Sequence, residues 1–133
     1  MEFVMRKSFF VGLVFTLIST QAFAAGKTIF QCQGTLNSDR TKLVTVDVIK
    51  EDDGHVVTQT AVAGGDVLKS PMTNDKTSAG TRTLSRVSDK GMNLFTLEIE
   101  DADQGLNLAT LKLLTSESAK PTGSDDLGCT NLQ

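Results

Sequence analysis

From residue 28 onward, hydrophobic and polar residues alternate in short segments, and each segment is followed by residues that favour turns. Residues 93–100 are the clearest case, because Phe95, Leu97 and Ile99 fall on one face of an extended strand while the residues between them are polar. Residues 43–50 alternate in the same way, with valines on one face. Alternation with a period of two predicts half-buried β-strands.

Eight segments of this kind are predicted to be strands. They are residues 28–34, 43–50, 56–63, 66–69, 81–87, 93–100, 107–114 and 127–131. Asp53-Gly54 and the turn at residues 88–91 separate neighbouring segments and favour hairpins. Seven or eight short strands joined mostly by hairpins predict an all-β fold, a small antiparallel meander that forms a barrel or a sandwich.

Two connections are longer and polar, residues 70–80 and residues 115–126. Long connections in compact domains often carry function. We expect a binding surface at one of them.

The first 24 residues have the character of an export signal. Arg6 and Lys7 precede an apolar run over residues 8–18, and the small residues Ala22 and Ala24 mark a cut before residue 25. The apolar run is shorter than the roughly 20 residues of a spanning helix. The pattern predicts a cleaved signal peptide (1–24) and a single β domain (25–133) in the periplasm or the medium. An uncleaved membrane anchor is the alternative.

Cleavage changes the composition of what remains. Removing 24 of the 133 residues leaves 109, the size of one domain, and changes the formal net charge from −3 to −4. Five of the seven phenylalanines lie in the signal, and the chain has neither Trp nor Tyr. Nucleic-acid binding, which relies on basic grooves and stacking aromatics, is therefore disfavoured. Sugar binding on aromatic platforms is disfavoured for the same reason.

The two cysteines, Cys32 and Cys129, lie near the two ends of the predicted domain. In an oxidising compartment they are expected to form a disulfide, and two free thiols are the alternative. Such a bond would link residues 97 positions apart, which stabilises a fold by about 4–5 kcal/mol in the chain-entropy model. Two Cys and one His at scattered spacing do not fit a zinc site, and no cofactor is predicted.

Residues with chemical potential are few. His55 is the only histidine, and no Gly-x-Ser-x-Gly motif accompanies it, so we predict no enzyme activity. Asp101, Asp103 and Asn107 superficially resemble a calcium loop. An EF-hand loop needs Gly at position six and Glu at position twelve, whereas here Gly is fifth and Lys112 is twelfth. An acidic hairpin turn is the better interpretation.

The end of the first polar connection is the strongest candidate for partner binding. Its residues are Ser78, Ala79, Gly80, Thr81 and Arg82. Small residues permit close approach of a partner's backbone, and the arginine is suited to an acidic group. In the alternative, a hairpin centred on residues 89–90 sets Arg82 opposite Glu98 as an outward cross-strand ion pair, worth about a few tenths of a kcal/mol.

This layout resembles one family, the bacterial periplasmic inhibitors of C-type lysozyme. Phe30-Gln31-Cys32 is similar to the family's early aromatic-x-Cys strand, Cys129 to its late cysteine, and residues 78–82 to its Ser-Gly-x-x-Tyr-like loop. The chain departs from the pattern at Ala79, where that alignment expects serine, and at Thr83, where it expects an aromatic. The family's later Trp has no counterpart. The resemblance implies a small antiparallel barrel whose loop enters the lysozyme cleft.

We therefore expect a periplasmic or secreted, non-enzymatic, monomeric domain that binds a protein partner. The resemblance implies that this partner is a lysozyme-like enzyme that cleaves the cell wall. The alternative is a structural or envelope-assembly protein that pairs through an exposed strand edge. A calcium-dependent module is a third hypothesis.

Overall fold

A computed structural model describes residues 26–63, 65, 67–114 and 121–133, so the predicted signal peptide lies outside the described residues. The described residues form nine strands. They are β1 (Lys27–Thr35), β2 (Leu43–Lys50), β3 (Val56–Val62), β4 (Val67–Pro71), β5 (Asn74–Ser78), β6 (Thr81–Val87), β7 (Asn93–Ile99), β8 (Leu106–Leu113) and β9 (Thr122–Asn131). In this part of the chain, no helix is both long and apolar enough to cross a bilayer.

The nine strands form one antiparallel sheet in the order β4-β3-β2-β1-β9-β8-β7-β6-β5. Two hairpin meanders, β1 to β4 and β5 to β9, are joined where β9 pairs with β1. The sheet curls into a half-barrel. The predicted all-β antiparallel fold is confirmed, as a single curled sheet and not as a sandwich.

The open side of the curl lies between β4 and β5, although these strands are consecutive in the chain. Only Met72 and Thr73 separate them. The Met72 N–H donates to the carbonyl of Val56 in β3, the strand that pairs with β4 (2.9 Å), and the Thr73 N–H donates to the carbonyl of Ser85 in β6, the strand that pairs with β5 (2.7 Å). The chain thus passes from one edge of the sheet to the other within two residues.

The hydrophobic core lies on the inner face, and every predicted inward residue of β7 is buried there. Its largest fully buried side chains are Phe30, Phe95, Leu84, Leu97, Ile99, Leu111, Leu127, Val44, Val46 and Val48. Alternation on β2, β7 and β8 assigned these faces correctly because one face of each strand packs against the core and the other faces water.

The disulfide is confirmed. Cys32 of β1 lies directly opposite Cys129 of β9, and the two sulfur atoms are bonded. Both cysteines belong to the buried core, so the disulfide links the two meanders on the inner face of the sheet.

Two predicted polar connections contain strands. β5 lies inside residues 70–80, and β9 begins at Thr122, inside residues 115–126, of which 115–120 lie outside the described residues. β5 has no alternating pattern because it is an edge strand whose five residues are all exposed. Only its pairing with β6 makes it a strand, which raises the number of strands above the predicted seven or eight.

Candidate functional site

The candidate binding segment forms the turn between β5 and β6, which we call the tip turn (residues 78–81). Ser78 pairs with Thr81, and the two residues between them have positive φ, 52° at Ala79 and 83° at Gly80. Positive φ at both central positions is the mark of a two-residue type I′ hairpin turn. Gly80 adopts this backbone without penalty, whereas Ala79 does not. Three of the four residues are exposed, and Thr81 is half-buried.

A neighbouring turn holds the tip turn in place. The Ala102 N–H donates to the carbonyl of Gly80 (2.8 Å), which ties the tip turn to the connection between β7 and β8. That connection is itself fixed, because the side-chain amide of Asn131 donates to the carbonyls of Ala102 (3.0 Å) and Gln104 (3.1 Å). An exposed turn is therefore fixed to the end of β9.

Arg82 does not point outward. A β-bulge between Arg86 and Val87 shifts β6 by one residue, so Arg82 pairs with Ile99 and Thr83 takes the place opposite Glu98. A shift of one residue moves each side chain to the other face of the sheet. The outward Arg82–Glu98 pair was therefore wrong.

The Arg82 guanidinium lies at the end of the barrel interior, where its side chain is only 15% exposed. It donates to both carboxylate oxygens of Asp75, from Nε (2.9 Å) and from Nη2 (2.6 Å), and Nη1 donates to Gln133 (3.3 Å). Its Cζ lies 5.7 Å from the centre of the Phe30 ring, within the range of a cation–π contact. Arg82 thus connects β5, β6 and β1 below the tip turn.

The candidate calcium residues lie in the connection between β7 and β8. Asn107 is buried, and its side-chain amide donates to the carbonyls of Asp101 and Gln104. The side-chain amides of Asn107 and Asn131 thus donate hydrogen bonds to the carbonyl oxygens of Asp101, Ala102 and Gln104 in this connection. In the described part of the chain, no three His, Cys, Asp or Glu side chains are grouped as a metal site would require.

His55 lies in the exposed turn between β2 and β3. Its ring Nδ1 is 2.8 Å from one carboxylate oxygen of Asp53, and its backbone N–H donates to the other carboxylate oxygen (3.0 Å). These hydrogen bonds hold the pKa of the Asp53 carboxyl below its ordinary value. The Asp-Gly turn predicted here is confirmed, with Gly54 at a φ of 91°.

One surface feature was missed by sequence reasoning. Leu106 is 78% exposed and Leu108 67% exposed, both on the outer face of β8. The signal was present, because Ala109, Leu111 and Leu113 alternate inward, and the same alternation carried toward residue 106 turns these two leucines outward.

Comparison of the chain with models of known protein families, with curated protein sequences and with solved structures found no match.

Proposed function

We propose that this protein is an exported, non-enzymatic binding domain that presents the tip turn to a partner protein. In its specific form, the partner is a cell-wall lytic enzyme of the lysozyme type, whose cleft receives the turn. The observation that carries the proposal is the tip turn itself, which is exposed, built of small residues and fixed by the hydrogen bond from Ala102 to Gly80.

A turn of this kind suits the entry of a protein cleft. Association is weakened by the entropy of ordering flexible segments, and a turn already held in one conformation avoids most of that loss. Ala79 and Gly80 add little side-chain bulk, so the backbone of the turn could approach the walls of a narrow site. Arg82 enters the proposal as a support of the turn, since its guanidinium is occupied by Asp75.

Export is part of the same proposal. It is supported by the signal-like residues 1–24 and by the disulfide between Cys32 and Cys129. Disulfides persist in the periplasm and the medium and are rare in the cytosol. A cell-wall lytic enzyme acts in those same compartments.

The test is inhibition of a purified C-type lysozyme in a turbidity assay on bacterial cell walls. We expect the wild-type domain to inhibit, and Ala79→Asp to weaken inhibition by about tenfold or more, equivalent to about 1.4 kcal/mol. Aspartate tolerates the left-handed backbone, so the substitution adds charge and bulk at the turn while preserving its shape.

Ala63→Asp is the matched control. Ala63 is also an exposed alanine in a turn, after β3, where its N–H donates to Leu43. It should inhibit like the wild type. Absence of inhibition by the wild type would exclude the lysozyme version, and equal loss in both variants would exclude the tip turn as the contact.

A second candidate is assembly through the edge strand β4. This strand pairs only with β3 in the described part of the chain, and it exposes Val67 (62%) and Leu68 (45%). Exposed apolar edge strands are templates for pairing with another chain. Light scattering separates the candidates, because assembly requires a mass that rises with concentration and falls again in Val67→Lys, whereas an inhibitor is expected to remain a monomer.

A further inference from the structure

The outer face of β8, β9, β1 and β2 carries a depression that we call the furrow. Its floor is Gly128, which lies in register between Leu108 and Gln33. Neighbouring strands are about 4.8 Å apart, so these two side chains flank a gap of about 10 Å over the glycine. A Cβ built on Gly128 would meet no atom within 4 Å. The furrow is therefore open space above a continuous sheet.

Two cavities that share Gly128 and Thr130 make up the furrow. One, of about 410 Å³, lies against Leu106 and Leu108. The other, of about 720 Å³, lies against Gln31, Gln33 and Asp47. One wall is thus aliphatic and the other is polar.

The aliphatic wall consists of the two most exposed large apolar side chains in the described part of the chain, Leu106 and Leu108. They are two residues apart on one strand, so they form a contiguous apolar strip. Contiguous apolar surface rimmed by polar residues is typical of protein interaction sites. The strip is suited to an aliphatic side chain of a partner.

The charge of the furrow is negative. Glu100 and Asp101 line its aliphatic end, Asp47 lines its polar end, and neither cavity is lined by a described lysine or arginine. Asp47 forms no ion pair within the described residues, and partial burial raises the pKa of its carboxyl above the ordinary value. The closest cation in its register row is Lys69, two strands away. A cationic occupant would supply the charge that these carboxylates lack.

The furrow adjoins the tip turn. The carbonyl of Gly80 accepts a hydrogen bond from the N–H of Ala102. Ala102 directly follows Glu100 and Asp101, which line the aliphatic end of the furrow. The aliphatic end of the furrow therefore begins at the same β7–β8 connection that holds the tip turn.

We infer that the furrow is a second part of the partner-binding surface and takes a protein segment that presents an aliphatic side chain beside lysine or arginine. This inference rests on the proposed function for the existence of a partner, but it names a different surface and its chemistry. A second copy of this chain is a poorer occupant, since two acidic furrow faces would repel each other.

A pair of synthetic peptides tests the chemistry of the furrow without any assumption about lysozyme. The probes are an acetylated, amidated Lys-Leu-Lys-Leu-Lys peptide and its Glu-Leu-Glu-Leu-Glu counterpart, added to the isotope-labelled domain while amide resonances are followed by NMR. We expect the lysine peptide to shift the resonances of Leu106, Leu108, Gly128 and Gln33. The glutamate peptide should bind at least about tenfold more weakly, because like charges oppose association.

Gly128→Leu fills the furrow and should weaken binding of the lysine peptide by about tenfold or more. Gly128→Ala is the milder version, should the larger side chain disturb the sheet. Val67→Ser is the control outside the furrow, because Val67 on β4 is an aliphatic residue about as exposed (62%) as Leu108 (67%). The tip-turn variant Ala79→Asp should bind the peptide like the wild type.

Each outcome decides between the two proposals. Peptide binding that is lost in Gly128→Leu supports the furrow even if the domain fails to inhibit lysozyme. Shifts that are absent, that persist in Gly128→Leu or that are equal for both peptides overturn the furrow and leave the tip turn to its own assay. A wild-type dimer that dissociates in Leu108→Ser also overturns the inference, since the occupant would then be a second copy.

Discussion

Replacement of both cysteines, Cys32→Ala with Cys129→Ala, is expected to lower the free energy of unfolding by about 4–5 kcal/mol. The bond joins residues 97 positions apart, so its loss releases a long loop in the unfolded chain. It also removes the covalent cross-link between β1 and β9, whose ladder extends over four residue pairs, Phe30–Asn131 to Gln33–Gly128. Those pairs join the two meanders of the sheet. Urea denaturation of the double variant and the wild type measures the difference.

Reduction of the wild type provides the control for this prediction. The reduced wild type should unfold at nearly the same urea concentration as the double variant, since both lack the cross-link and keep the rest of the core. A loss below about 1 kcal/mol in both would mean that the unfolded chain is already compact enough for the bond to constrain little.

Phe30→Ala is expected to cost about 3–5 kcal/mol of stability, because it leaves a cavity in the hydrophobic core. Phe30 is fully buried on β1, between β2 and β9, and its ring contacts the Arg82 guanidinium. The truncation therefore removes both core packing and the surface on which Arg82 rests. Thermal or urea unfolding measures the loss.

Phe30→Leu is the matched variant, since it keeps most of the buried volume and removes the aromatic face. We expect it to cost less than about 1.5 kcal/mol. A cost as large as that of Phe30→Ala would assign most of the stabilisation to the contact with Arg82 and not to the filling of space.

The inner faces of β2, β7 and β8 could be predicted because alternation is a local property. Phe95, Leu97 and Ile99 point the same way in any strand of regular pleat, whatever its neighbours are. The pairing of Cys32 with Cys129 was also within reach, since a disulfide is the expected state of two cysteines in a chain predicted to be exported.

The direction of Arg82 could not be predicted in the same way. When the register of a hairpin is predicted from its turn, the pairing is assumed to continue without interruption along both strands. One bulged residue next to Arg86 shifts every pairing of β6 farther from the turn by one residue and so reverses the face on which its side chains lie. The residues at the bulge carry no glycine or proline to announce it. The inward direction of Arg82, and with it the ion pair with Asp75, depends on that single shift.

β5 and the furrow depend on neighbours that are distant in the chain. β5 is polar throughout and becomes a strand only through its pairing with β6. The furrow exists because Gly128 comes to lie beside Leu108, twenty positions earlier in the chain, when β9 pairs with β8. To this pair of neighbours, β8 alone contributes only an exposed leucine, and β9 alone contributes only a glycine.

The sequence by itself determined the fold class, the turns rich in glycine and the inner face of each alternating strand, because these depend on residues within one or two positions of each other. The tertiary structure alone decided the register of β6, the strand order and therefore the surfaces that a partner meets. The physical reason is that hydrogen bonding between strands uses backbone groups common to all residues, so the choice of neighbour is made by packing of the whole core.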